Sequence, residues 1–227
     1  MSVIDHAKFL SRLKDNGTEL NTFYDVGSNI GLWSVEAQKV YPQANFQCFE
    51  PLAGKYPELD ASSRYSQLNN YTLHSVALSD RSGTSKMKIL GNRGVGSSIL
   101  IVDSDYRKDI KIVDVDAFKM DDILNKHNLP LPDFIKLDTQ AGEMKVLKGA
   151  EETLKYAKYL LCETWMRRVY RPETPLFHEL AVYLYSLDYV LFEILSLDDG
   201  RDSDMTLRWF DAVFINKSHS SFPKTML

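Results

Sequence analysis

An apolar run that ends in an aspartate and breaks at once into two spaced glycines, TFYDVGSNIG at residues 22–31, constrains this chain more than any other stretch. Thr22, Phe23, Tyr24 and Val26 are β-branched or aromatic, as a buried strand requires. Gly27 permits positive φ and lets the backbone approach a ligand closely, and Gly31 removes a side chain where the next helix meets the sheet. That helix, from about Ile30 to Val40, begins with free N–H groups that can meet a polar or anionic group. The stretch therefore reads as a strand feeding a helix across a ligand.

Asp-x-Gly-x-x-x-Gly alone is a weak signal, since average composition produces it in about one chain of this length in twenty. The next strand, Asn45 to Phe49, strengthens it by ending in Glu50, about twenty residues past the turn, where nucleotide-binding α/β folds place the acid that holds ribose hydroxyls. Pro51 disfavours helical geometry at Glu50 and keeps the carboxylate at the strand end. The plain alternative is an ordinary turn followed by a solvated glutamate. Ser28 and Asn29 stand where a dinucleotide site, Gly-x-Gly-x-x-Gly, needs its second glycine, and Asp25 would repel a pyrophosphate. An aspartate there suits an amine-bearing or cationic ligand such as S-adenosylmethionine, which has an ammonium, a sulfonium and a ribose but no phosphate.

Further strands are expected at Tyr71 to Leu78, Thr84 to Leu90, Lys111 to Phe118, Phe134 to Leu137 and Tyr159 to Cys162, the last ending at Glu163. Helices are expected at Asp121 to His127, Glu143 to Tyr156 and Pro175 to Leu187, with a helical tendency across Leu52 to Asn70. Tyr189 to Leu195 and Leu207 to Asn216 then form an antiparallel edge hairpin. Strands alternating with helices predict an α/β fold with a mainly parallel sheet covered on both faces. Ligands of such sheets bind beyond the carboxyl ends of the strands, so Asp25, Glu50, Asp138 and Glu163 should share one rim.

Nothing in 227 residues marks an internal boundary, which predicts one domain over 1–227: a helical extension at 1–19, a core at 20–217 and a tail at 218–227. The net charge of −4 disfavours a nucleic-acid partner. Cys48 and Cys162 sit in apolar runs, as buried reduced thiols do. The N-terminus lacks an export-type apolar segment, and the most apolar later stretch, 181–197, is interrupted by Asp188 and Glu193, so a cytoplasmic protein without membrane contact is expected.

DFIKLDTQAGEMKVLKGAEETL at 133–154, with VALSDRSG at 76–83, CFEP at 48–51 and DVGSNIG at 25–31, resembles the FkbM family of S-adenosylmethionine-dependent methyltransferases over roughly residues 20–165. The resemblance implies a seven-stranded Rossmann-like class I methyltransferase fold and O-methylation of sugars or natural-product hydroxyls. It further implies that Asp25, Gly27, Ser28, Asn29 and Gly31 line the methionine end of the cofactor, that Glu50 holds the ribose, and that Ala77 and Leu78 lie near the adenine. The alternative for the last two is plain buried strand. One departure stands out: the family usually has glycine two residues before the second acidic residue of the 138–143 motif, and this chain has Ala141 there, followed by Gly142.

Methyl transfer needs the acceptor oxygen held close and in line, and a hydroxyl acceptor gains from a base or a metal that takes its proton. Asp138 is the first candidate base, with Glu163 and His178 after it; Glu143 serves equally well as a helix-start anchor. Five histidines without ligand spacing argue against zinc, whereas magnesium on strand-end carboxylates leaves no sequence pattern and stays open. Trp165, Arg167, Arg168 and Tyr170, in TWMRRVYR, suit an acceptor lid for a sugar or an anionic metabolite, or else a solvated loop with paired arginines. Ser97 and Ser98 mark another candidate pocket edge. A catalytically silent binding module and an RNA methyltransferase are the rival readings, the first disfavoured by intact Asp25, Gly27 and Glu50 and the second by the acidic balance.

Overall fold

A nearly continuous apolar run such as the one that ends in Asp25 and Val26 must be covered on both sides, and the rest of the chain is arranged to do so. The computed structural model describes residues 3–89, 94, 96–99, 111–169, 173–198, 200–219 and 222–223. In chain order the strands are β1 (Thr22–Val26), β2 (Asn45–Phe49), β3 (Tyr71–His74), β4 (Ala77–Leu78), β5 (Gly83–Ile89), β6 (Lys111–Phe118), β7 (Phe134–Leu137), β8 (Tyr159–Trp165), β9 (Tyr189–Leu195) and β10 (Trp209–Asn216). Seven of them form one sheet in the order β3-β2-β1-β7-β8-β10-β9, and a second, three-stranded sheet has the order β4-β6-β5. Pairing is parallel from β3 through β2, β1 and β7 to β8, after which β10 inserts antiparallel between β8 and β9.

Helices α1 (Val3–Asp15) and α2 (Leu32–Val40) cover one face of the large sheet, where Phe9, Leu10, Trp33 and Val35 pack on Phe23, Phe46, Phe134 and Tyr159. After the four-residue α3 (Pro57–Asp60), the helices α4 (Met120–His127), α5 (Glu143–Lys148) and α6 (Phe177–Ser186) cover the other face, with Met120, Val146, Leu147 and Leu180 against Tyr24, Val26, Leu137 and Leu160. Each such fully buried side chain contributes about 1.5–3 kcal/mol of transfer free energy. A smaller cluster of Leu52, Leu59, Met87 and Val115 sits under the second sheet.

Four elements differ from the sequence reading. Tyr71 to Leu78 is two strands, because the chain leaves the large sheet after His74 and Ala77–Leu78 pair with β6 instead. Leu52 to Asn70 holds only α3 and a short 3₁₀ turn at Tyr65–Gln67, consistent with its Gly54, Pro57, Ser62 and Ser63, which favour turns over a continuous helix. The helix from Glu143 stops at Lys148, since Gly149 lies so close to the Ser79 carbonyl that an added Cβ would fall 2.0 Å from its oxygen. Strand β8 also runs past Cys162 to Trp165, sustained by its pairing with β10.

Candidate active site

Beyond the carboxyl ends of β1, β2 and β7 lies a cavity of about 590 Å³, within the usual range for a small-molecule site. Gly27 forms its floor with φ 75°, and a Cβ there would sit 2.0 Å from the Asp138 carbonyl oxygen, so β1 and β7 can meet at this point only through glycine. Gly27 and Ser28 both donate their N–H groups to the Phe49 carbonyl, at 3.0 and 3.1 Å, which ties the turn to the end of β2. Ser28 Oγ and Tyr65 Oη lie 2.7 Å apart, and the tyrosine donates to the Asn29 carbonyl at 2.7 Å. Gly27, Ser28 and Asn29 line the cavity. Gly31 stands outside that lining, leaving room for the Tyr65 ring, which an added Cβ would approach to 2.8 Å.

Glu50 lies on the same wall, and its carboxylate is aimed by two backbone donors: Asn29 N–H to Oε2 at 2.9 Å and Leu52 N–H to Oε1 at 3.0 Å. Burial raises its pKa to about 7, with the two N–H groups working against the rise. Val76, Ala77, Leu78 and Met87 supply an apolar wall beside it.

Asp25 sits beneath the turn, off the cavity wall, and its two oxygens are taken by Ser34 Oγ at 2.7 Å and Lys136 Nζ at 3.0 Å. Lys136 also donates to the Gly27 carbonyl at 3.3 Å and lies 3.6 Å from Asp138. Burial works to lower the pKa of this lysine, but Asp25 and Asp138 outweigh it and hold the ammonium above its usual range. Lys136 does line the cavity, and sequence reasoning missed it. The available signal was a lone cation inside the apolar strand FIKL, which must find an anion if it is buried.

Asp138 and Glu163 come together on the wall, bridged by Gln140, whose Nε2 donates to Asp138 Oδ1 at 2.9 Å and to Glu163 Oε2 at 3.1 Å. The pKa of Glu163 is held well above the carboxylate range, first by burial and then by the charges of Asp138, Glu143 and Asp211. Asp211 faces Glu163 directly across the β8 and β10 pair and is held at 2.9 Å by His6 from α1. Glu143 turns back from the start of α5 to accept the Thr139 N–H at 2.7 Å and its hydroxyl at 3.0 Å; burial raises its pKa to about 7. Gln140 and Ala141 have φ of 54° and 74°, so the alanine occupies a left-handed conformation suited to glycine. Ser97 is on the cavity wall, and Ser98 Oγ donates to the Gln140 carbonyl at 2.8 Å.

Of the expected acceptor residues, Trp165 lines the cavity and Tyr170 lies outside the described residues. Arg167 instead pairs with Asp202 at 2.8 Å, and Arg168 pairs with Glu179 and the Thr174 carbonyl. His178 is exposed on α6 and is not part of the cavity lining. The aromatic and basic wall beside Trp165 comes from Arg208, just before β10, and Trp209, its first residue, which sequence reasoning passed over within a segment read only as an edge strand. Among the described residues, no three His, Cys, Asp or Glu side chains gather into a metal-holding group. No described helix is long and apolar enough to cross a membrane.

A seven-stranded sheet of this order, with a cavity over its carboxyl edge and helices on both faces, defines a class I methyltransferase fold. A solved O-methyltransferase family protein from Burkholderia thailandensis shares that fold at a TM-score of 0.51 and 10% identity, over 94% of this chain and 55% of that one; the chain thus spans little more than half that protein's length. Methyltransferase sdnD from Sordaria araneosa is 28% identical over 202 residues, covering 74% of each protein. The family model of the methyltransferase FkbM domain matches residues 25–191, and the chain belongs to that family.

Proposed function

We propose that this methyltransferase uses S-adenosylmethionine and methylates a hydroxyl of a small-molecule acceptor, a sugar or natural product, in the cytoplasm and without nucleic acid or membrane as partner. The observation that carries the reading is the pairing of Glu50, aimed into the cavity by two backbone N–H groups, with the Gly27 turn, where a Cβ would collide with the Asp138 carbonyl. The residues present fit the cofactor: Glu50 for ribose hydroxyls, Ala77, Leu78 and Met87 for a flat base, and Gly27, Ser28 and Asn29 for close backbone approach. When bound, that cofactor supplies an electrophilic methyl group carried on a sulfonium.

The protein's own work is positioning and proton removal. Asp25 acts at one remove, fixing Lys136 and through it the Gly27 carbonyl and Asp138. Asp138 and Glu163, linked by the Gln140 amide, take the acceptor's proton as a pair. Titration calorimetry with S-adenosylhomocysteine tests the reading: the protein should bind it and ignore nicotinamide dinucleotides, and Glu50→Ala should weaken binding roughly ten- to a hundredfold. No binding by the unaltered protein, or unchanged affinity in the variant, would overturn it.

A further inference from the structure

The strand pair that closes the far end of the cavity carries an arrangement that the cofactor reading leaves unused. Trp165 and Trp209 face each other across β8 and β10, and both line the cavity together with Arg208. Arg208 is incompletely paired there. Asp202 lies between two guanidinium groups, its Oδ2 2.8 Å from Arg167 and its Oδ1 3.4 Å from Arg208, so the pair to Arg208 is the longer of the two. The Arg208 Nε is buried and has no hydrogen-bond partner among the described residues. A guanidinium presents its donors as a rigid planar fork that matches an oxyanion, and a buried donor without a partner disfavours the empty site. Indole faces and edges, in turn, recognise flat rings and the apolar faces of sugars.

From this wall we propose that Arg208, Trp165 and Trp209 form the acceptor's recognition site, and that the acceptor is a ring compound bearing an oxyanion, a carboxylate or a phosphate ester. The inference rests on the methyltransferase reading and supplies its substrate class. Orientation follows from the strand. Glu163 and Trp165 are two residues apart on β8 and so share a face about 7 Å from one another, close to the span of one six-membered ring with its substituents. A ring lying on the indoles with its anion on Arg208 therefore directs its opposite edge, where the hydroxyl to be methylated belongs, toward Glu163 and Asp138.

The test uses the full chain saturated with S-adenosylhomocysteine and follows tryptophan fluorescence during titration with 4-hydroxybenzoate, its neutral counterpart 4-hydroxybenzamide, and phenyl phosphate. At least one of the anions should bind roughly tenfold or more tightly than the amide, and which one does so separates a carboxylate-bearing from a phosphate-bearing acceptor. Arg208→Gln should abolish that preference, a loss of roughly ten- to a hundredfold, while S-adenosylhomocysteine affinity stays as it was. Asp202→Asn removes the competitor for Arg208 and should tighten anion binding, an effect that damage to the fold would not produce. Anions binding no better than the amide, or failure of Asp202→Asn to tighten them, would overturn the proposal. A protein that binds the anions but not S-adenosylhomocysteine would sink the cofactor reading and leave the anion site standing.

Discussion

Asp25 and Lys136 are direct partners across the β1 and β7 pair, and their side chains meet at 3.0 Å with 0% and 2% of their surface exposed. Removing one partner of such a pair leaves a buried charge without compensation, which typically costs about 3–5 kcal/mol. Lys136→Met should therefore lower the free energy of unfolding by about that amount in urea titrations, and Asp25→Asn combined with it should recover a large part. A loss of less than about 1 kcal/mol in the single variant would mean that the pair is not what secures the turn.

Stability should fall as pH rises through neutrality. Burial raises Glu50 and Glu143 from 4.5 to about 7, so between those values the folded chain binds more protons than the unfolded one. The stabilisation from each is full below 4.5 and is lost as pH climbs through about 7. The urea midpoint should be higher at pH 5.5 than at pH 8, and Glu50→Gln, which cannot take up that proton, should flatten the difference. An equal or higher midpoint at pH 8 would count against protonated carboxyls at these sites.

Ala141, at φ 74°, sits where an L side chain costs about 1–2 kcal/mol, against about 0.5–1 kcal/mol for the extra freedom of an unfolded glycine. Ala141→Gly should accordingly stabilise the protein by about 0.5–1 kcal/mol, read as a higher midpoint in calorimetry. A lower midpoint would show that the small methyl group, 2% exposed, contributes more through packing than it costs in strain.

Asp138→Asn and Glu163→Gln keep size and remove the ability to accept a proton. Because a positioned base contributes about a hundred- to ten-thousandfold, each should lower kcat within that range while S-adenosylhomocysteine affinity changes little. If Asp138→Asn keeps its turnover and loses nucleotide affinity instead, that residue binds the cofactor and Glu163 acts alone.

The nucleotide half of the site could be read from the chain because its devices are local. A positive-φ glycine after a strand, and an acid at the end of the next strand followed by proline, declare themselves within a few residues. Lys136 was opaque for the opposite reason: in FIKL it looks like an intrusion until Asp25, 111 residues earlier, is set beside it. Arg208 and Trp209 were hidden by topology, since only the insertion of β10 beside β8 brings them to the cavity. The arginines of TWMRRVYR looked like binding groups, but Asp202 and Glu179, from distant parts of the chain, claim them. Helical tendency across Leu52 to Asn70 failed where serine, glycine and proline compete for the backbone, a contest that local propensity scores poorly.

The place of β10 also sets an order in time. Of the described strands it is the last to leave the ribosome, yet it takes an inner position, and its Asp211 is reached by His6 from 205 residues away. The strands that end at Gly27, Glu50 and Asp138 precede it and can pair among themselves, whereas the wall with Trp209 and Arg208 exists only once β10 has paired with β8. A nascent chain halted before residue 209 would thus have the strands of a nucleotide pocket and lack the wall proposed to choose the acceptor, which in that proposal ties acceptor choice to the last of the described strands to be made.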